Sequence, residues 1–337
     1  MSKKHLLALL PCLMLAACTP DGSITLPSDI ESLIPSTSDT TSTESEKPTP
    51  SESSSEEKPS SSEEETPVGP SYEVPSKPLT GYYAKLDVTA KGATLLSQAR
   101  DIMVSTHTNY TSYNDNRGPN VGGLTDRTDY DPNNKNNIIM FYAKASISSK
   151  WDNGTTWNRE HVWPQSLSSG NWGKDGGGSD MHHIRPSFNR VNGARGNKKY
   201  GEVSGGSIYK YSYNGKSYDC AKTSGDTWEP LDNLKGDVAR IILYTFTHYN
   251  NPQHLEQNDN LTGAITSTAN SRTSSGSMKI TQVMDASTSE AFKMLSRWNK
   301  LDPVDELEIN RNEAVFKIQH NRNPFIDHPW LVDAIWG

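Results

Sequence analysis

The chain is short of cysteine. It has three in 337 residues, Cys12, Cys18 and Cys220, and two of these fall within the first 18 positions. A domain that keeps only Cys220 has no internal disulfide, so its hydrophobic core has to hold it together unaided. Residues 72–337 are enough chain to bury such a core, with Cys220 read as one more buried, inert side chain. Long apolar runs are missing as well. Leu6 to Met14 is too short to span a bilayer as a mature helix, and no later run is a candidate, which excludes a helical membrane domain. Aromatic residues are absent before Tyr72, and residues 19–71 are mostly Ser, Thr, Glu and Pro, a composition that cannot form a core. A basic excess is missing too. The net charge of −7 belongs to that stretch, which holds 12 acidic and 2 basic residues. Beyond it, 29 basic face 28 acidic side chains, so binding a polyanion would need a local patch rather than a basic domain.

What is present at the N-terminus is a leader. Lys3-Lys4 precede the apolar run, and Leu15-Ala16-Ala17-Cys18 places small residues before a cysteine. That order resembles the lipobox of bacterial lipoproteins, which implies cleavage before Cys18 and a lipid on its thiol; the alternative is an ordinary signal peptide cut near the same place. The organisation expected is residues 1–17 as signal, 18–71 as lipidated cysteine and disordered stalk, and 72–337 as one folded domain. The whole would sit on the outer face of a bacterial membrane or be secreted.

Within the domain, Leu95, Leu96, Ala99, Ile102 and Met103 recur with helical spacing and predict a helix over 93–105. Asn114 to Asn137 is rich in Asn, Asp and Gly and reads as loop. Ile138 to Tyr142 reads as a buried strand, and Ile208 to Cys220, with Asn214-Gly215 in its middle, as a hairpin with a type I′ turn. Helices are expected over 237–249 and 289–300, from Asp302-Pro303 to Gln319, and in a last short piece near Pro329.

The chemistry is concentrated between residues 157 and 197. Trp157-Asn158-Arg159-Glu160-His161-Val162-Trp163-Pro164 is followed by Asp180-Met181-His182-His183-Ile184-Arg185-Pro186-Ser187 and by Asn192-Gly193-Ala194-Arg195-Gly196-Asn197. An imidazole to take a proton from water, oxygen ligands for a hard cation and guanidinium groups for phosphate are the parts needed to attack a phosphodiester. Trp163 precedes a proline and is biased to extended geometry, so His161 belongs on a strand. A five-glycine insert, Ser168 to Ser179, lets the chain reverse, and Met181–Arg185 can return as a second strand. Pro186-Ser187 would supply a turn and N-cap, and residues 188–194 a short helix with Asn189 and Asn192 on one face.

Strand, loop, strand and short helix is the layout of a ββα-metal (His-Me) finger. Arg-Glu-His-Val-x-Pro, Asp-Met-His and Val-Asn-Gly-x-Arg-Gly-Asn together resemble the endonuclease I family of secreted non-specific nucleases. Gly236–Arg240 and Asn321–Pro329 agree with it. The resemblance implies an α+β fold, a finger embedded in a mostly helical domain with a small antiparallel sheet. It also implies a metal-dependent hydrolase of DNA, RNA or both that leaves 5′-phosphate ends, and with no obligate protein partner evident a monomer is expected. By position, His161 would be the general base, and Glu160 and Asn192 the ligands of Mg²⁺, with Mn²⁺ or Ca²⁺ as alternatives. Arg159, Arg185 and Arg195 are the candidates for the phosphate, because 162–179 lacks the arginine that the periplasmic branch has there. Asp180, His182, His183, Asn189 and Asn197 are candidates for supporting roles. Two other readings compete: a zinc hydrolase using His161, His182 and His183, weakened by the absence of any His-Glu-x-x-His, and a surface-displayed binding module on a stalk.

Overall fold

A computed structural model describes residues 71–113, 121–168, 172, 176–250, 261 and 278–337 of the chain, without the side chains of 121 and 122. The expected leader, Cys18 and the stalk up to residue 70 lie outside the described residues.

The first helix, α1 (Gly92–Thr106), buries Leu95, Leu96, Ala99, Ile102 and Met103, the face its spacing predicts. The next segment departs from expectation. Within the stretch read as loop, Val121–Thr128 is a helix, α2, and Asn134–Met140 is a strand, β2. Two glycines and only eight residues give α2 little intrinsic stability, so tertiary packing has to hold it. Leu124 supplies that by joining a small apolar cluster with Met181, Ile184, Val315 and Ile318. The asparagine-rich half of β2 is exposed, and it is a strand because it lies between β1 (Tyr130–Asp131) and β3 (Ala145–Ser148) in an antiparallel sheet.

β4 (Trp157–His161) and β5 (Ile184–Phe188) form a separate antiparallel pair, in which Glu160 faces Arg185 and His161 faces Ile184. The Pro186-Ser187 pair is not a turn. It lies inside β5 opposite Arg159 and Asn158, and the Pro186 carbonyl accepts a 2.8 Å bond from Phe141 N that ties this pair to the first sheet. The short helix α3 (Asn189–Arg195) follows directly, with Phe188 in the N-cap position and no side-chain cap. A third sheet contains β6 (Lys199–Tyr200), β7 (Ser207–Tyr213), β8 (Lys216–Ser224) and β9 (Thr227–Pro230) in the order β6-β9-β8-β7. Its β7–β8 hairpin turns at Asn214 (φ 49°) and Gly215 (φ 75°), the two left-handed residues that a type I′ turn requires.

The C-terminal helices close the main core. α4 (Asp232–Tyr249), nearly all buried, packs on α5 (Thr288–Leu301). Asp302 does not start the following helix. Its carboxylate accepts 2.9 Å from Gly236 N near the start of α4, and α6 (Glu306–Gln319) begins later with Asp305 as its cap. A Cβ on Gly236 would lie 1.9 Å from the Asp302 carbonyl oxygen, so this approach requires glycine. Two short helices, α7 (Pro324–Asp327) and α8 (Leu331–Trp336), end the chain. Helices and small, mainly antiparallel sheets thus make an α+β fold, and no helix among the described residues is long and apolar enough to cross a membrane.

Candidate active site

Alternation along β4 sends neighbouring side chains to different partners. Asn158 and Glu160 meet α3, while Arg159 and His161 meet Tyr113.

On the α3 side, Glu160 is 2% exposed. Its Oε1 accepts from the Tyr142 hydroxyl at 2.8 Å and pairs with Arg195 Nη1 at 3.3 Å; Tyr142 in turn shares a 2.6 Å hydrogen bond with Tyr200. Arg195 lies over the Tyr200 ring and donates to the Val162 carbonyl at 2.8 Å. Burial pushes the Glu160 carboxyl up to about 7, against the opposing pull of Arg195 and the Tyr142 hydroxyl. Asn192 is held by its amide nitrogen, which donates to Asn158 Oδ1 at 2.7 Å and to the Arg159 carbonyl at 3.1 Å. Among the described residues nothing donates to Glu160 Oε2 or Asn192 Oδ1. Two hard oxygens, each on a side chain fixed through its other polar atom, fit a small divalent cation that retains water and substrate oxygens for its other positions.

On the other side, His161 Nε2 donates to the Gly178 carbonyl at 2.9 Å. That bond fixes the tautomer and leaves the Nδ1 lone pair unused. Burial, then the neighbouring His183, push the imidazole down to about 3; the Gly178 carbonyl opposes this, and Arg159 and Arg195 reinforce it. His161 is therefore neutral throughout the physiological range. The five-glycine insert thus does more than reverse the chain, since Gly178 orients His161 and the Gly177 carbonyl accepts from His183 Nε2.

The arginines separate by environment. Arg185 pairs with Asp129 at 2.8 Å and Asp237 at 3.7 Å, and Arg195 is committed to Glu160 and backbone carbonyls. Arg159 is half-buried, lies 3.9 Å over the Tyr113 ring and, among the described residues, donates only from Nη1, to the Tyr113 carbonyl at 2.8 Å.

The remaining candidates are distributed around this centre. His183 is buried, with its ring 5.5 Å from that of His161. His182 faces away, donating to the Asn321 carbonyl at 3.1 Å and packing on Tyr244. Burial lowers both imidazoles to about 4 while Asp180 opposes. Asn189 anchors the Gly154 carbonyl at 2.5 Å, and Asn197 is exposed in an open groove with Lys198 and Lys199. His161, His182 and His183 therefore do not converge on one point.

A different trio, His107, Asp180 and His248, brings potential ligand atoms within 4.8 Å of one another and is fully buried. Asp180 already accepts four hydrogen bonds there, from His182 N, Gln319 Nε2 and the hydroxyls of Tyr244 and Tyr249. Burial disfavours its charge, but the surrounding imidazoles of His107, His182 and His248 hold the carboxyl well below its ordinary value. An ion at this trio would have to displace bonds already made, so we read it as a polar core.

Sequence reasoning passed over Tyr142, Tyr200, Tyr113 and Gly178. Only the aromatic character of the first three was visible, and nothing local marks which of the chain's 14 tyrosines touch the site.

Comparison with known proteins gives the family. A family profile described as endonuclease I matches residues 92–330. The chain is 39% identical over 269 residues to an extracellular ribonuclease of Bacillus amyloliquefaciens, covering 78% of this chain and 80% of that protein. It is 42% identical over 216 residues to an extracellular ribonuclease of Bacillus subtilis strain 168, covering 62% and 65%. A more distant likeness, 24% over 148 residues and 44% of each chain, is to endonuclease-1 of Buchnera aphidicola subsp. Acyrthosiphon pisum.

Proposed function

The chain belongs to the endonuclease I family, and from that premise we propose that it is a secreted, divalent-metal-dependent endonuclease. It hydrolyses phosphodiester bonds of RNA, DNA or both with little sequence preference and leaves 5′-phosphate ends. β4, β5 and α3 are its ββα-metal (His-Me) finger.

The reading rests above all on one juxtaposition. A neutral imidazole, oriented through Nε2 and open at Nδ1, directly follows in sequence a carboxyl that Arg195 of α3 supports, and α3 also carries Asn192, whose amide nitrogen donates to the Arg159 carbonyl one residue before that carboxyl. His161 Nδ1 takes a proton from water as that water attacks phosphorus in line. Glu160 and Asn192 would hold Mg²⁺, or Mn²⁺ or Ca²⁺ in its place. When bound, the cation supplies Lewis-acid stabilisation of the charge developing on the phosphate and on the departing 3′-oxygen. Arg195, Tyr142 and Tyr200 fix the Glu160 carboxylate, and Arg159, the least committed of the three arginines, turns its open donors to the phosphate. His183 packs beside the base, while Asp180, His182 and Asn189 serve the scaffold and Asn197 stays at the surface.

We assign residues 1–17 to a signal, Cys18 to lipid attachment and 18–71 to a stalk. These would leave a monomeric catalytic domain on the outer face of a bacterial membrane. Fractionating a Cys18→Ser variant tests the anchor: release into the medium is expected, and unchanged membrane association with lipid retained would contradict it.

The reaction itself is tested by incubating purified protein with plasmid DNA and with RNA, with Mg²⁺ or with EDTA. Cleavage only with the metal, at many sites and with 5′-phosphate ends, is expected. Folded protein that cuts neither polymer would remove the nuclease reading, and cleavage unaffected by EDTA would remove the metal.

A further inference from the structure

Beside His161 runs a row of flat groups that the reaction does not use as acid, base or ligand. The His161 ring lies 5.4 Å from that of Tyr113, the Arg159 guanidinium lies 3.9 Å over Tyr113, and the same guanidinium lies 5.3 Å from the Trp151 ring. Trp151 is the outer end of this row. It is 38% exposed, although Trp157 stands nearly perpendicular to it at 4.8 Å and Gly154 lies close beneath its edge. Burial is the usual fate of a tryptophan in this protein: Trp157, Trp163, Trp172, Trp228, Trp298 and others expose 4% or less. Trp151 is thus positioned by its neighbours yet left open to solvent, linked to the base through Arg159 and Tyr113.

We propose, on the nuclease reading above, that Trp151 together with the Arg159–Tyr113 stack is a subsite for an unpaired nucleobase next to the scissile phosphate. Every base has a π-face, so an exposed indole grips a single strand without reading its sequence. A guanidinium can stack by its face and donate from its edge at once, so Arg159 links the stacked base to the phosphate. A base inside a duplex is already stacked on both sides and cannot lie on Trp151 without leaving its pair. The subsite therefore favours single-stranded RNA or DNA over duplex. The two Bacillus relatives being described as ribonucleases is consistent with such a preference.

The test compares wild type, Trp151→Ala and Trp151→Phe on a short single-stranded oligonucleotide and on the same oligonucleotide annealed to its complement. KM and kcat are measured separately on each, with circular dichroism as the check on folding. Loss of one stacked base should raise the single-strand KM of Trp151→Ala about tenfold while leaving kcat nearly unchanged. Its duplex kinetics should move little, and Trp151→Phe should recover most of the loss. A folded Trp151→Ala with unchanged single-strand KM, or with equal loss on both substrates, overturns the subsite while leaving the nuclease intact. Wild type that cuts neither substrate overturns the nuclease reading and the subsite with it.

Discussion

At position 160, burial and function pull in opposite directions. A carboxyl raised to about 7 is largely protonated at slightly acidic pH, yet a cation needs the ionised form, so protons and metal compete for the same oxygens. The sign follows directly: the raised Glu160 loses its charge as pH falls through about 7, and added metal opposes that loss. At low Mg²⁺ the acid limb of the rate should therefore lie near pH 7, and it should move to lower pH as Mg²⁺ is increased. His161, already pushed down to about 3, should add no limb near an ordinary imidazole value. Rate profiles at several Mg²⁺ concentrations measure this, and a limb near 6.5 that ignores the metal would contradict it. The candidate site residues stand out in the sequence in proportion to how local their proposed roles are. Glu160 and His161 are adjacent, and Asn192 lies in a compact motif, so residue type and order pointed to them. The partners that set their properties, Tyr142, Tyr200, Tyr113 and Gly178, are brought in by strand pairing and loop closure, which no local pattern encodes.

Between β4 and β5, the insert works as a structural element despite its glycines. Trp172 is buried, and a Cβ on Gly177 would come within 2.7 Å of its indole, so the chain can pass there only without a side chain. Gly177→Ala should force apart the segment that carries the Gly177 and Gly178 carbonyls and free His161 from its orientation. A loss of about 1–3 kcal/mol of stability is expected, with kcat falling more than KM rises. Thermal melts and steady-state kinetics together check it, and a variant with wild-type kcat would show that the insert does not orient the base. Elements with a strong periodic or turn signature, such as α1, α5 and the β7–β8 hairpin, were legible in sequence. α2 was not, because two glycines hide a helix stabilised mainly by Leu124. The Asp302-Pro303 signal misled because a carboxylate able to cap one helix was used on the start of another, α4.

Across the whole molecule, the motifs outside β4, β5 and α3 turn out to be buried struts. Arg240 is fully buried, pairs with Glu308 at 2.5 Å, and donates to Asn299 and to the Asp302 carbonyl, while Asn323 caps α7 and donates to the Arg240 carbonyl. With no disulfide among the described residues, these bonds help join α4, α5, α6 and α7. Arg240→Ala should cost roughly 3–5 kcal/mol, because it strands the buried Glu308 carboxylate, while the folded fraction keeps its kcat. Chemical denaturation monitored by fluorescence checks this; a stability loss under 1 kcal/mol would show that the strut is dispensable. Sequence identified these stretches as belonging together without revealing that their work is architectural. Everything proposed for the reaction turns on His161, and the single-turnover rate of nucleic acid cleavage by His161→Ala at saturating Mg²⁺ measures its role. The rate should be lower by roughly 10²–10⁴-fold in a protein that melts like wild type and still binds metal. Cleavage at close to the wild-type rate would place the base elsewhere.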